Sequence, residues 1–393
     1  MISKRLKQLR LAKGLSLDAL VAEMGGLVTK QALSKYELGK SKPTPSVLTK
    51  LASALGVKAV HLWSEPSLDV RFIAYRKGSG LPRKSQVQVE AQVSQDLEER
   101  VRLQNLTNQH DGNIPIQSLK IKKVADAEDA AEQIRSDWNL GLDPIYSVSD
   151  VLEDHFVHVL EVESGEKFDG ISAVAYNDDG GIEAAAVATR KGVPGERQRL
   201  NLGHELGHLI LKVPAAVDEE KAAFRFAAAF LAPADTIFRE VGSKRASIQL
   251  AELLLLKQKL GMSIQALIYR LHDLGIITDS YCNKWWITIN RLGMKKQERG
   301  ELAPERPQWL RRTVLRAFSE GLIVKDEAES MIGEIIQTEE ALSLIGRRAF
   351  MQLSKEERRK ILESQAEKAK PHYAQDKDRD GLQGGDFIEY DKP

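Results

Sequence analysis

The chain has a single cysteine among its 393 residues, only eight histidines and an aromatic content of 6%. One cysteine, Cys282, excludes an internal disulfide and a metal site built from cysteines. No run approaches the roughly eighteen apolar residues that cross a bilayer, and the N-terminal segment lacks the apolar stretch of a signal peptide. We therefore expect a cytoplasmic protein without a membrane partner.

The remaining composition is typical of a folded protein with an uneven charge distribution. Hydrophobic residues make up 42% and charged residues 29% of a chain with a net charge of +1. Residues 1–65 nevertheless contain eleven Lys or Arg and four Asp or Glu, a local surplus of seven positive charges. This basic block is a candidate contact for a polyanion.

The basic block has the pattern of several short helices. Ser16, Thr29 and Ser46 are suitable N-cap residues, and glycines at 14, 25, 39 and 56 suit the helix ends. A further short helical piece follows at 57–63. Four or five short helices within about 65 residues is the scale of a helix-turn-helix domain.

The run TKQALSKYELGKSKPTPSVLTKLASALGV, which begins at Thr29, resembles the recognition half of XRE-type, phage-repressor-like helix-turn-helix proteins. The resemblance implies that a helix at about 29–38 enters the major groove of an operator in double-stranded DNA. The residues that it assigns to base edges are Lys30, Gln31, Ser34 and Lys35, and those that it assigns to phosphates are Lys40 and Lys42. The alternative is a helical bundle that uses the same fold for protein contacts.

The most specific chemical motif is HELGH, within the run RQRLNLGHELGHLIL from Arg197 to Leu211. Because residues four apart share one face of a helix, His204 and His208 can present two imidazole nitrogens to one metal ion. This is the zincin arrangement, in which the imidazoles bind Zn²⁺ and Glu205 accepts a proton from the attacking water. A buried structural helix is the alternative interpretation.

The region before this helix has the pattern of a small sheet. Runs at 157–162, 171–176 and 182–188 are strand-like, and NDDGG at 177–181 is a hairpin turn between two of them. Upstream, 70–75 is a short strand, and 86–106 is a long amphipathic helix whose apolar positions are Val87, Ala91, Leu97, Val101 and Leu106. Its periodicity leaves open whether it packs on a partner subunit or on the peptidase.

The segment EKAAFRFAAAFLAP, Glu220 to Pro233, together with HELGH, resembles the ImmA/IrrE family of metallopeptidases. The resemblance implies that Glu220 is the third zinc ligand, on a second helix beside the first. Glu219 is adjacent and remains an alternative, and Phe224 stands where many relatives have Asn. Arg197 and Arg199 lie where relatives often carry arginines, either to orient a peptide or to form surface ion pairs.

Three protein ligands leave room for water, whereas a structural zinc site takes a fourth protein ligand. No fourth His or Cys lies near the motif in sequence; His155, His158 and His272 are more simply interpreted as ordinary surface or core residues. The pattern therefore favours hydrolysis of a peptide bond, and the family resemblance suggests a repressor as the protein substrate.

We expect an α+β fold, mostly α, with a five-helix helix-turn-helix domain, a central zincin-like domain and a helical C-terminal region. The expected boundaries are 1–65 for the DNA-binding domain, 66–122 for a linker strand and long helix, 123–280 for the peptidase, 281–370 for the helical region and 371–393 for a flexible tail. The competing hypothesis is an antitoxin or autorepressor whose zinc domain is a non-catalytic sensor or scaffold. Its tail would bind a toxin, and a homodimer is compatible with either hypothesis.

Overall fold

The computed structural model describes residues 2–63, 68–74, 81–109, 116–165, 167–295, 297–336 and 350–374. These residues are mostly helical with a small four-stranded mixed sheet and a separate two-stranded pair, which confirms the expected α+β fold class. The chain divides into two compact units, Met1–Thr313 and Val314–Pro393. Among the helices in these ranges, none is both long and apolar enough to cross a membrane.

The first unit begins with four helices, α1 (Ile2–Ala12), α2 (Leu17–Glu23), α3 (Lys30–Glu37) and α4 (Pro45–Leu55), and a 3₁₀ turn (Ala59–Leu62). Ser16 and Thr29 cap α2 and α3 by accepting hydrogen bonds from the third amide of each helix, as expected. The expected cap at Ser46 is wrong, because Thr44 caps α4 and Pro45 occupies its first turn, where no amide donor is needed.

A buried ion pair fixes the orientation of α3 in this helical group. Arg10 on α1 donates from Nε and from an Nη to the two carboxylate oxygens of Glu37 at 2.6 and 2.9 Å. Leu33 on the inner face of α3 is fully buried with Leu6 and Leu51 in the same core. These contacts leave the opposite face of α3 open to solvent.

Strand β1 (Asp69–Ala74) and helix α5 (Arg83–Leu106) follow. The buried positions of α5 facing the sheet are Val89, Val93, Leu97 and Val101, an unbroken i, i+4 stripe. Of the five expected apolar positions, Leu97 and Val101 are buried, whereas Val87, Ala91 and Leu106 are only partly buried. The sequence left open whether this helix packs on a partner subunit or on the peptidase. In the structure it packs on the sheet and also on α1, where Gln8 Nε2 donates to Glu98 at 3.3 Å.

The sheet has the strand order β1, β4 (Gly170–Tyr176), β5 (Ile182–Arg190) and β3 (Val157–Val162). β4 pairs antiparallel with β1 and β5, whereas β3 and β5 are parallel. The hairpin between β4 and β5 is the expected one, and Asn177 Oδ1 accepts from the amide of Gly181 at 2.7 Å. A short parallel pair, β2 (Leu119–Lys120) and β6 (Leu211–Lys212), lies outside this sheet.

Helices cover the sheet and form the larger core of the first unit. They are α6 (Asp126–Asp137), α7 (Val148–Asp154), α8 (Gly195–Ile210), α9 (Glu219–Leu231), α10 (Ala234–Val241), α11 (Leu250–Leu260), α12 (Ile264–Asp273) and α13 (Asp279–Arg291). α8 and α9 pack closely because Gly203 and Gly207 present no side chain to α9. A Cβ atom at Gly203 would lie 3.2 Å from the Cβ atom of Ala227.

Residues 297–308, here called the bracing segment, run beside the start of α8. The main-chain amide and carbonyl of Glu305 each form a hydrogen bond with the side chain of Gln198. The carbonyl of Leu302 accepts from the amide of Gly195 at 2.8 Å. Lys257 on α11 is fully buried and contacts the carboxylates of Glu196 and Glu298. These contacts tie the segment to α8 and α11 and give the buried ammonium group of Lys257 two carboxylate partners.

Helix α14 (Trp309–Ser319) crosses into the second unit, which also contains α15 (Lys325–Ile332) and α16 (Lys355–Ala374). Helix α16 includes residues 371–374, the first four of the expected flexible tail. Residues 375–393, and with them most of the suggested toxin-binding tail, lie outside the described residues. The expected domain boundaries stay predictions.

Candidate metal centre

Helix α8 places the two motif histidines on one face, with their rings side by side. The opposite face buries Leu202, Leu206 and Leu209 in the core, so the helix cannot rotate without exposing them. The Nε2 atoms of His204 and His208 lie 3.1 Å apart, and both side chains are about 4% exposed or less. Two imidazole nitrogens therefore point to one location.

Glu220, in the first turn of α9, brings a carboxylate to the same location. Its two oxygens lie 3.5 Å from Nε2 of His204 and 3.5 Å from Nε2 of His208. Ligands of a tetrahedral zinc ion at about 2.0–2.2 Å lie about 3.4 Å from one another. The three donors fit one zinc ion in both chemistry and spacing, and across the described chain no fourth His, Cys, Asp or Glu joins this group.

The neighbouring carboxylate of Glu219 reaches a different atom. Its Oε1 lies 3.3 Å from Nδ1 of His208, the ring nitrogen that faces away from the shared location. Only Glu220 contacts the inner nitrogens of both histidines. Of the two carboxylates that the sequence left open, the geometry therefore favours Glu220 as the ligand.

The electrostatic environment of His208 favours the neutral form that can bind metal. Burial lowers the pKa of His208, and the nearby His204 lowers it further, while Glu220 and Glu219 act in the opposite direction. A neutral imidazole has a free nitrogen lone pair, which a metal ion requires. Half-exposed Glu220, at 45%, marks the side on which the group meets solvent.

The carboxylate of Glu205 is held by strand β4. The hydroxyl of Ser172, which is fully buried, donates to Glu205 Oε2 at 3.1 Å. Gly170 leaves the space on the other side, since a Cβ atom there would lie 2.7 Å from Glu205 Oε1. Sequence analysis missed both residues; the only available signal was one serine within the otherwise apolar run ISAVAY.

The two arginines before the motif form ion pairs. Arg197 contacts Asp169, and Arg199 contacts Glu305 and also donates to the carbonyl of Ile145 at 2.6 Å. Arg199 is buried, so its contacts fix the first turns of α8. Of the two roles considered for this pair, the contacts favour ion pairing.

The three other histidines considered as ligands have separate partners. His155 Nδ1 lies 2.8 Å from the carbonyl of Val151, and His158 Nε2 lies 2.9 Å from Oε1 of Gln104. His272 contacts Asp279. Their interpretation as ordinary residues therefore agrees with the structure.

The candidate DNA-contacting residues lie together on and after α3. Those that are exposed are Lys30, Gln31, Lys35, Lys40 and Lys42, and Ser34 is partly exposed. Lys30 Nζ lies 2.6 Å from a carboxylate oxygen of Asp18 on α2, with both side chains more than half exposed. An exposed pair of this kind is weak, so Lys30 can exchange Asp18 for a phosphate or base.

Comparison with known proteins gives two separate matches. Residues 6–62 match the model of the Helix-turn-helix family, and residues 190–272 match that of the IrrE N-terminal-like domain, a peptidase family. The SPbeta prophage-derived uncharacterized HTH-type transcriptional regulator YonR of Bacillus subtilis strain 168 is 42% identical over 57 residues. That alignment covers 14% of this chain and 51% of the relative, about half of its length. Both resemblances drawn from the motifs are confirmed.

Proposed function

We propose that this chain, which joins an XRE-type helix-turn-helix domain to an IrrE/ImmA-like domain, is a DNA-binding regulator with zinc-dependent endopeptidase activity. The observation that carries the proposal is the triangle of His204, His208 and Glu220, with donor atoms 3.1–3.5 Å apart. A repressor or antitoxin-type protein is the substrate class. This couples proteolysis to transcription in one polypeptide.

In this proposal His204, His208 and Glu220 would hold Zn²⁺. When bound, zinc would act as a Lewis acid that polarises the scissile carbonyl and lowers the pKa of water. Glu205 takes the proton from the attacking water and delivers it to the leaving amine. Ser172 keeps the carboxylate of Glu205 oriented through a hydrogen bond to the ionised form.

DNA binding is assigned to the exposed face of α3. Gln31 and Lys35 would read base edges in the major groove, and Lys40 and Lys42 would contact phosphates. Recognition of a palindromic operator by a single α3 helix per chain would require a homodimer. The basic surplus of residues 1–65 supports this orientation toward a polyanion.

The central experiment uses Glu205→Gln. The variant should retain zinc and operator binding, lose cleavage, and capture the substrate in a pull-down, because Gln keeps the shape of Glu but cannot accept the proton. Zinc content is measured by elemental analysis, and cleavage of the captured protein by wild type is followed by electrophoresis. Glu183→Gln, on β5, serves as a charge-matched control that should cleave normally. Equal cleavage by Glu205→Gln and wild type would refute the assignment.

One observation favours the second candidate, a regulator whose zinc domain is a sensor. Both histidine side chains are almost completely buried, and the ring of Phe224 lies 4.1 Å from that of His204. If the zinc domain is a sensor, removal of zinc should change operator affinity, whereas Glu205→Gln should leave operator affinity unchanged. Gel shifts of operator DNA with and without a zinc chelator, together with the cleavage assay of Glu205→Gln, therefore separate the two candidates.

A further inference from the structure

The ring of His208 lies between two successive carboxylates of α9. Glu220 faces Nε2 at 3.5 Å, and Glu219 faces Nδ1 at 3.3 Å. A histidine that binds a metal through Nε2 carries its proton on Nδ1, so the Nδ1–H group can donate to Glu219. The two carboxylates therefore contact opposite edges of one ring.

The start of α9 makes this division possible. Asp218 caps the helix by accepting from the amide of Lys221 at 3.1 Å, so Glu219 and Glu220 are its first two residues. Successive helical residues point about 100° apart. One side chain can thus reach the inner nitrogens while the other reaches around the ring of His208.

His204 is held differently. Its Nδ1 atom is buried, and no described residue is its hydrogen-bond partner. The ring of Phe224 lies against it at a centroid distance of 4.1 Å and an interplanar angle of 46°. Packing against Phe224 positions the ring of His204, whereas the outer nitrogen Nδ1 of His208 has a polar contact with Glu219.

We propose that Glu219 is a positioning residue that fixes the ring of His208 and its tautomer for zinc binding. This inference rests on the proposed function, because it requires zinc at Nε2 of His208. Glu219 makes no contact with the metal in this arrangement and acts only through the histidine. Outer carboxylate partners of ligating histidines raise ligand basicity, and their loss weakens metal affinity by about 10–100-fold.

The magnitude should lie near the lower end of that range. The side chain of Glu219 is 57% exposed, so water competes for its hydrogen bond. We expect Glu219→Ala to weaken zinc affinity about tenfold, measured on the full chain by competition with a chromophoric zinc chelator. Circular dichroism of the metal-free protein establishes that the variant is folded.

Two further variants isolate the cause. Glu219→Gln keeps a hydrogen-bond acceptor but loses the charge, so its zinc affinity should lie between that of wild type and that of Glu219→Ala. Asp129→Ala removes an exposed charge from α6 and should bind zinc like wild type. Equal losses in the Ala and Gln variants, or wild-type affinity in Glu219→Ala, would overturn the positioning role.

Glu220→Ala separates this inference from the proposed function. If the metal centre is correct, Glu220→Ala loses zinc much more strongly than Glu219→Ala. Retention of zinc by Glu220→Ala would refute the proposed metal centre itself. Loss in Glu220→Ala with no change in Glu219→Ala would refute only the positioning role.

Discussion

Glu153 on α7 is a buried carboxylate whose ionisation should cost stability near neutral pH. It is 2% exposed, and one oxygen accepts from the amides of Gln308 and Trp309 at 3.0 and 2.8 Å. The other oxygen has no hydrogen-bond partner within the described part of the chain. Burial raises the pKa of Glu153 to about 7, although the two amides and the nearby Arg100 act to lower it.

The direction of this pKa shift determines how the stability of the protein changes with pH. A folded-state pKa above the ordinary 4.5 means that the stabilising contribution is complete below pH 4.5 and is lost as the pH rises through about 7. Between pH 5 and pH 8 the loss is about 2.5 kcal/mol, at 1.36 kcal/mol for each pH unit between the two pKa values. This loss is a large fraction of the stability of an ordinary domain.

The assay is guanidinium denaturation of wild type and Glu153→Gln at pH 5 and pH 8. Gln retains an acceptor for the two amides and does not ionise, so the variant should lose about 2.5 kcal/mol less than wild type between the two pH values. Glu163→Gln, at a side chain that is 81% exposed, is the matched control and should follow wild type. Identical pH dependence in wild type and Glu153→Gln would refute the reasoning.

Two other predictions concern the site and the DNA-binding surface. Gly170→Ala should keep zinc but lower cleavage of the captured substrate about 100-fold, because the new methyl group displaces Glu205 by up to about 1 Å; unchanged cleavage would contradict the positioning of Glu205 by β4. Alanine at both Gln31 and Lys35 should abolish the operator gel shift and leave zinc content unchanged. Loss of zinc in that double variant would show that the two functions are not carried by separate surfaces.

The local features of this fold were accessible from the sequence because their causes are local. Ser16 and Thr29 cap helices through their own neighbouring amides, and HELGH places two histidines on one face by helical periodicity alone. The turn NDDGG likewise needs only its own residues. Each of these predictions depends on contacts within a few positions along the chain.

Features built from distant residues were not accessible in the same way. Ser172 contacts Glu205 across 33 positions, and Arg270 contacts Glu128 across 142. In the sequence, Lys257 cannot be distinguished from a surface lysine of a helix, because its two acidic partners are brought to it only by folding. Even within α5, several apolar stripes fit the periodicity, and only the position of the sheet selects Val89 over Val87.

The bracing segment determines where this protein can be cut into stable pieces. An excised peptidase that stopped at residue 280 would leave Lys257 without the carboxylate of Glu298, and would leave the amide of Gly195 without its carbonyl acceptor. The amides of Val148 and Ser149, which donate to the carboxylate of Glu305 at 3.1 and 2.8 Å, would also lose their acceptor. An autonomous fragment must therefore retain the chain at least through residue 309, well beyond the last residue of the metal-binding helices.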